Sequence, residues 1–150
     1  MKINAFSNLT FRALIYMALR PEQFVTTREI ADAYKVSFNH LKKVMINLAE
    51  HHYIVGTKGR NGGYKLARNS NMINVGEVFR ITIENVAIAE CFASPDSQCV
   101  ISPDCRLRHI LMDAVSRFTS ELDNYCLYDL VKGRQGGLAH HLGIEITEIT

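Results

Sequence analysis

Proline is scarce in this chain, at three of 150 residues, while 47% of the residues are hydrophobic. That balance excludes disorder as the main state and leaves enough apolar mass for one compact unit with an appendage. Long apolar runs are missing from the amino terminus. The longest, Ala13 to Leu19, is far too short to span a bilayer, and no positive segment leads into it. A soluble, cytoplasmic protein without a membrane partner is expected. Nucleotide-binding glycine motifs and a base–nucleophile pair are absent too, which argues against an enzyme or an electron carrier.

What the chain does have is a division of charge. Up to Ser70 it carries 11 Lys and Arg against 4 Asp and Glu, and beyond Ser70 it carries 6 against 11. A block of net +7 followed by one of net −5 points the first part at a polyanion, with double-stranded DNA the foremost candidate.

Apolar spacing supplies the elements of that first part. Leu9, Ala13, Tyr16 and Met17 share a helical face, so a helix is expected from about Leu9 to Leu19, capped by Ser7 or Asn8 and stopped by Pro21. Thr26 and Glu29 have capping-box spacing and start a short helix to Tyr34, with Lys35-Val36 as the turn. Ser37 caps a third helix to about His51, turning Leu41, Val44, Met45 and Leu48 inward and Asn39, His40, Lys42 and Lys43 outward. Two short helices about a tight turn read as a helix-turn-helix. Strand-like Tyr53-Ile54-Val55 and Tyr64 to Ala67 then flank the turn Gly59 to Gly63, forming a basic wing with Lys58 and Arg60 at its tip. The expected DNA-facing set is Thr27, Arg28, Ser37, Asn39, His40, Lys42, Lys43, Lys58, Arg60 and Asn61. Asn39 and His40 would lie near base edges, and the lysines and Arg60 against phosphates or a minor groove.

The second part reads differently. A short helix is expected over Val75 to about Ile81, then an irregular stretch from Glu84 to Cys105. Ser102 as cap and Pro103 at the first helical position open a long helix to about Tyr125, striped by Leu107, Ile110, Leu111, Ala114, Val115, Phe118, Leu122 and Tyr125. Periodicity leaves two readings open: a core helix closing its own domain, or pairing with a second copy through Leu107, Leu111, Ala114, Phe118 and Leu122. Lys132 to Gly137 reads as a loop and Gly143 to Thr150 as a weak lone strand. The expected class is mainly α with a small β-hairpin. A winged helix-turn-helix domain occupies 1–82, a loop 83–105, a long dimerisation helix 103–130 and a tail 131–150.

Three of the four cysteines stand close together, as Cys91-x7-Cys99-x5-Cys105. Structural disulfides are not expected in a reducing compartment, whereas such clustering suits a metal or iron–sulfur site. Buried small hydrophobes are the plainer reading; the polar neighbours Asp96, Ser97, Gln98 and Asp104 favour ligation. Without C-x2-C pairs or a histidine pair, zinc takes second place. Cys105 is expected in the first turn of the long helix, whose positive end favours a thiolate, with His109 one turn further on. Cys126 reads as packing.

With these residues in view, the chain resembles the NsrR/IscR family of winged-helix iron–sulfur transcription regulators. The resemblance runs from Met1 to about Val131 and rests on Phe11 to Ala18, the wing Gly59 to Tyr64, Pro103-Asp104-Cys105-Arg106-Leu107, and Glu121 to Tyr125. Within the family it is most similar to the nitric-oxide-sensing NsrR repressors. The resemblance implies that Cys91, Cys99 and Cys105 carry an iron–sulfur cluster, 4Fe-4S or alternatively 2Fe-2S. It also implies that a homodimer pairs through the long helix, and that this dimer represses at an inverted repeat in promoter DNA until nitric oxide acts. The alternatives are an iron- or redox-sensing regulator of the IscR type and a cluster-free winged-helix regulator. Asn8 stands where the family commonly has an aspartate, given by the partner subunit as fourth ligand. A neutral amide is a poor iron ligand, which leaves water, a small thiol, His109 or Glu90 for that place. Arg12, close to the partner's cluster in the family, is retained.

Overall fold

The computed structural model describes residues 3–83, 89–93 and 99–146, with Glu90 and Ala93 described by their backbone alone. Helix α1 spans Ala5–Leu19 and is capped by Asn4, whose Oδ1 accepts from the Ser7 N–H at 2.7 Å. The helix thus starts ahead of the expected Ser7 or Asn8. An asparagine that satisfies a free N–H is enough to begin it, so no apolar residue need come first, and Ser7 is buried within it.

Helix α2, Thr27–Tyr34, carries the expected capping box in both directions: the Glu29 N–H donates to Thr26 Oγ1 at 3.1 Å and the Thr26 N–H to Glu29 Oε2 at 2.7 Å. Lys35, left-handed at φ 53° and ψ 47°, ends it. Helix α3, Phe38–Glu50, begins at Ser37, whose Oγ accepts from the His40 N–H at 3.4 Å.

Strands β1 (Ile54–Thr57) and β2 (Gly63–Leu66) pair antiparallel, Ile54 opposite Leu66 and Thr57 opposite Gly63. A bridge with no counterpart in the sequence pattern joins Val25 to Tyr64 through two hydrogen bonds of 2.9 and 2.8 Å. Gly63 makes it possible. At φ +152° any Cβ there would lie 2.6 Å from the Val25 carbonyl oxygen, so only glycine allows the backbones to approach. Ala13, Leu14, Val25, Ile30, Leu41, Val44 and Leu48 are fully buried among these elements.

Two compact units are present, one of residues 1–73 with 126–150 and the other of residues 74–125. In the first, the Leu127 N–H donates to the Ile73 carbonyl at 2.8 Å beside a 3-10 turn at Ser70–Met72. Helix α7 (Leu127–Val131) then packs on α1, and α8 (Gln135–Leu142) follows. The expected loop over Lys132 to Gly137 therefore ends early, at Gln135. Glycine costs about 1 kcal/mol in a helix interior, but Gly136 and Gly137 sit in the first turn, and burial of Ala139 further along offsets the rest. Gly143, left-handed at φ 63°, closes α8; residues 144–146 form no strand, and 147–150 lie outside the described residues.

The second unit contains α4 (Val75–Ile83), α5 (Glu90–Ala93), a 3-10 turn at Ser102–Asp104 and α6 (Arg106–Leu122). Helix α4 groups with α6 rather than with the wing: the Phe79 and Phe118 rings meet edge to face at 5.4 Å, and Arg80 Nη2 donates to Asp123 Oδ2 at 2.6 Å. Ser102 and Pro103 open the short turn, not the long helix. Cys105, extended at φ −76° and ψ 106°, separates the two, and α6 ends three residues before Tyr125. No helix among the described residues is long and apolar enough to cross a membrane.

Candidate nucleic-acid interface and cysteine segment

Burial of Ile30 and Ala31 on α2 against Leu41, Val44 and Met45 on α3 decides which side of the helix pair faces out. Arg28, Ser37, Asn39, His40, Lys42 and Lys43 are exposed there, and Thr27 is half-buried. Neither Lys42 nor Lys43 forms an ion pair among the described residues, where the two ion pairs are Arg20–Glu29 and Arg80–Asp123. Their charge is left for an external anion. The Arg28 guanidinium lies 4.2 Å over the Phe38 ring, which steadies it beside the start of α3. Ser37 spends an acceptor lone pair on its cap, a bond that does not use its hydroxyl proton.

At the wing, Lys58, Arg60 and Asn61 are exposed in the turn between β1 and β2, which closes through the Gly62 N–H to the Gly59 carbonyl at 3.0 Å. A Cβ on Gly62 would come 2.5 Å from the Thr57 carbonyl oxygen, so the tight turn depends on its absence. Two more cations flank the hairpin: Lys65 Nζ stands 5.2 Å from the Phe24 ring and the Arg68 guanidinium 4.9 Å from the Tyr53 ring. Sequence reasoning missed both stacks. Each joins residues 15 or more positions apart, and the only local signal was the surplus of cations.

Cys91 lies in α5, Cys99 just ahead of the 3-10 turn, and Cys105 between that turn and α6; all three are half-buried. Cys105 is thus the residue before α6 rather than part of its first turn. It keeps its place at the positive end of the helix, but its spacing to the exposed His109 is not a regular helical turn. Among the described residues no three His, Cys, Asp or Glu side chains converge on one metal-ion position. The donor set still suits an iron–sulfur cluster, which takes soft thiolates and distributes them over several irons rather than around one ion. Asp96, Ser97 and Gln98 and the side chain of Glu90 lie outside the described residues.

Cys126 is a cap. Its N–H and its Sγ both donate to Asp129 Oδ2, at 2.8 and 3.2 Å, and these bonds, the backbone one first, hold the Asp129 carboxyl below its usual value. Asn8 is exposed on α1, and its N–H donates to the Asn4 carbonyl at 3.1 Å. Half-buried Arg12 places its guanidinium 5.5 Å over the ring of Tyr34, whose phenol is pushed up to about 12, chiefly by burial. No residue of α6 is buried: Leu107 and Ala114 are exposed, and Leu111, Phe118 and Leu122 are half-buried.

A family model described as Rrf2, iron-dependent transcriptional regulator, matches residues 3–133. The HTH-type transcriptional regulator NsrR of Bacillus subtilis (strain 168) is 39% identical over 136 residues, covering 90% of this chain and 93% of its own length. That of Oceanobacillus iheyensis is 36% identical over 146 residues, covering 97% and 99%. Among solved structures, T. potens IscR superposes with a TM-score of 0.72 at 19% identity, covering 91% of this chain and 90% of its own. CymR, the global cysteine regulator of B. subtilis, superposes at 0.63 and 22% identity, covering 87% and 95%. At such identities the structures establish the fold.

Proposed function

Because the chain belongs to the Rrf2 family of transcriptional regulators, we propose that it is a cytoplasmic, homodimeric repressor of the NsrR type. It binds an inverted repeat in promoter DNA and releases it when nitric oxide acts on an iron–sulfur cluster held by Cys91, Cys99 and Cys105. The observation that carries this reading is the set of three half-buried cysteines in the same compact unit as the uncovered apolar stripe of α6. The cluster, 4Fe-4S or else 2Fe-2S, would supply the chemistry that responds to nitric oxide.

The remaining work falls to the chain's own side chains. Asn39 and His40 face base edges from α3 in the major groove, and Lys42, Lys43, Lys58 and Arg60 neutralise phosphates or enter a minor groove. Four such cations per subunit, doubled in the dimer, make operator affinity fall steeply with salt, with a log–log slope of roughly −0.9 for each phosphate neutralised. Leu107, Leu111, Ala114, Phe118 and Leu122 cover one another across the two copies of α6. Arg12 offers positive charge to the anionic cluster of the second subunit. Asn8 favours a second reading. With an amide where a carboxylate ligand would stand, the fourth place falls to His109, Glu90, water or a small thiol, and the signal becomes iron or redox status, as in an IscR-type regulator.

The test is a visible spectrum of anaerobically purified protein with iron counted per chain, before and after stoichiometric nitric oxide. Bands that bleach are expected, and a colourless, iron-free protein would leave a cluster-free regulator. Cys99→Ala is expected to keep the dimer, lose the bands and bind operator about a hundredfold more weakly, or ~2.8 kcal/mol. Wild-type operator affinity in that variant would sink the mechanism.

A further inference from the structure

The unit formed by residues 1–73 and 126–150 holds a cleft of about 890 Å³. Among the described residues its lining comes from the end of α1, from β2 and the stretch after it, from α7 and from the start of α8, not from α2 or α3. Its size falls within the roughly 300–1,000 Å³ of sites that take small organic molecules. Gly136 keeps one wall open: a Cβ there would meet no atom within 4 Å.

The lining has two characters. Leu19, Leu66 and Val131 are buried apolar residues, and the half-open Tyr128 adds an aromatic ring beside them. The charged residues among the lining are Lys65, Arg68 and Glu22, two cations against one carboxylate. Neither cation forms an ion pair among the described residues. Each lies against a ring instead, Lys65 Nζ 5.2 Å from that of Phe24 and the Arg68 guanidinium 4.9 Å from that of Tyr53. A ring face holds a cation more weakly than an anion does, so both positive charges can serve an acidic ligand. The apolar residues beside them argue against a DNA backbone as that ligand, because a phosphate chain gains nothing from covering leucine and valine.

We propose that this cleft binds a small organic anion, whose acidic head meets Lys65 and Arg68 while an apolar or aromatic body covers Leu19, Leu66 and Val131 beside Tyr128. Carboxylate and phosphate heads share the required chemistry. Glu22 disfavours a second acidic group on the same molecule, since like charges in one cleft repel.

Amide chemical shifts of the full-length protein, titrated separately with benzoate, phenyl phosphate, phenol and inorganic phosphate, test this. Saturable shifts at residues 65–70, 128 and 135–136 are expected with at least one of the two aromatic anions, and the tighter of them names the head. Phenol and inorganic phosphate should each bind about tenfold more weakly or worse, lacking either the charge or the body. No saturable shift with either aromatic anion, shifts confined to other residues, or phenol binding as tightly as the anions would overturn the proposal. Arg68→Gln should weaken the anion about tenfold and leave phenol unchanged; equal losses for both would mean that Arg68 only supports the fold, and the assignment falls. Glu22→Gln should bind the anion more tightly, a gain that a damaged fold does not produce, and an unchanged or lower affinity would overturn the charge reading. Gly136→Leu, placed where the wall is open, should abolish binding of anion and phenol alike, and unchanged binding would put the ligand elsewhere. A short duplex that shifts the amides of Lys65 and Arg68 and displaces the aromatic anion would give these cations to DNA and overturn the proposal.

Discussion

In α1, α2 and α3 the apolar stripes find cover inside the same compact unit, and Leu14, Ile30, Leu41 and Val44 are wholly buried. Helix α6 has an equally regular stripe over 17 residues and buries none of it, leaving Leu107 and Ile110 60% and 53% exposed. Both stripes read alike in sequence, because periodicity reports only that a helix has an apolar face. The cover decides the difference. α1 receives α7 from the far end of the chain, while α6 receives α4, through Phe79 against Phe118. An apolar helical face left open beside a candidate cluster segment is what a second copy of the chain would close.

The comparison can be broken most forcefully at its buried side. Leu41→Ala should cost about 2–5 kcal/mol in denaturant unfolding, whereas Leu107→Ala, measured dilute enough to keep the chain monomeric, should cost about 0.5 kcal/mol or less. Similar losses at both would erase the distinction. Ile110→Glu should leave the helical circular dichroism intact and convert a sedimenting dimer into a monomer; a dimer that persists would mean that the open face is not the pairing face. On the DNA side, Lys43→Ala should weaken operator and unrelated DNA alike and make the salt slope shallower by about 0.9 for each phosphate the lysine no longer neutralises. A changed sequence preference would instead make Lys43 a base reader.

The smallest effect is expected at Asp129. Its carboxyl is held below the ordinary 3.8 by the Cys126 N–H and then the Cys126 thiol, so its contribution is complete above that value and lost as pH falls through the lower folded one. Asp129→Asn should therefore be slightly less stable than wild type at neutral pH and indistinguishable from it in strong acid. Its full exposure keeps the difference small. A difference that grew toward acid pH would contradict the cap.

The helix-turn-helix was legible residue by residue: the capping box at Thr26 and Glu29, the cap at Ser37 and the inward set Leu41, Val44, Met45 and Leu48 all occur as the spacing required. The wing was legible from its glycines. Less legible was the cysteine segment. Three thiols within fifteen residues announce a donor set, but their arrangement depends on a 3-10 turn and an extended Cys105 that interrupt the helix expected from Ser102 onward. The Arg12–Tyr34 stacking was invisible, since the two residues lie on different helices and share no period.

By itself, then, the sequence determined what depends on neighbours a few positions apart: the starts of α2 and α3, the tight turns, the basic face of α3 and the apolar side of each helix. Those follow from local hydrogen bonding and from the 3.6-residue repeat. Tertiary structure alone decided that Val25 bridges Tyr64, that α7 packs on α1 and bonds from Leu127 to Ile73, and that α4 joins α6 through Arg80 and Asp123. Each of these joins residues roughly forty or more positions apart, and such pairings form only where the whole chain has already brought two buried faces together.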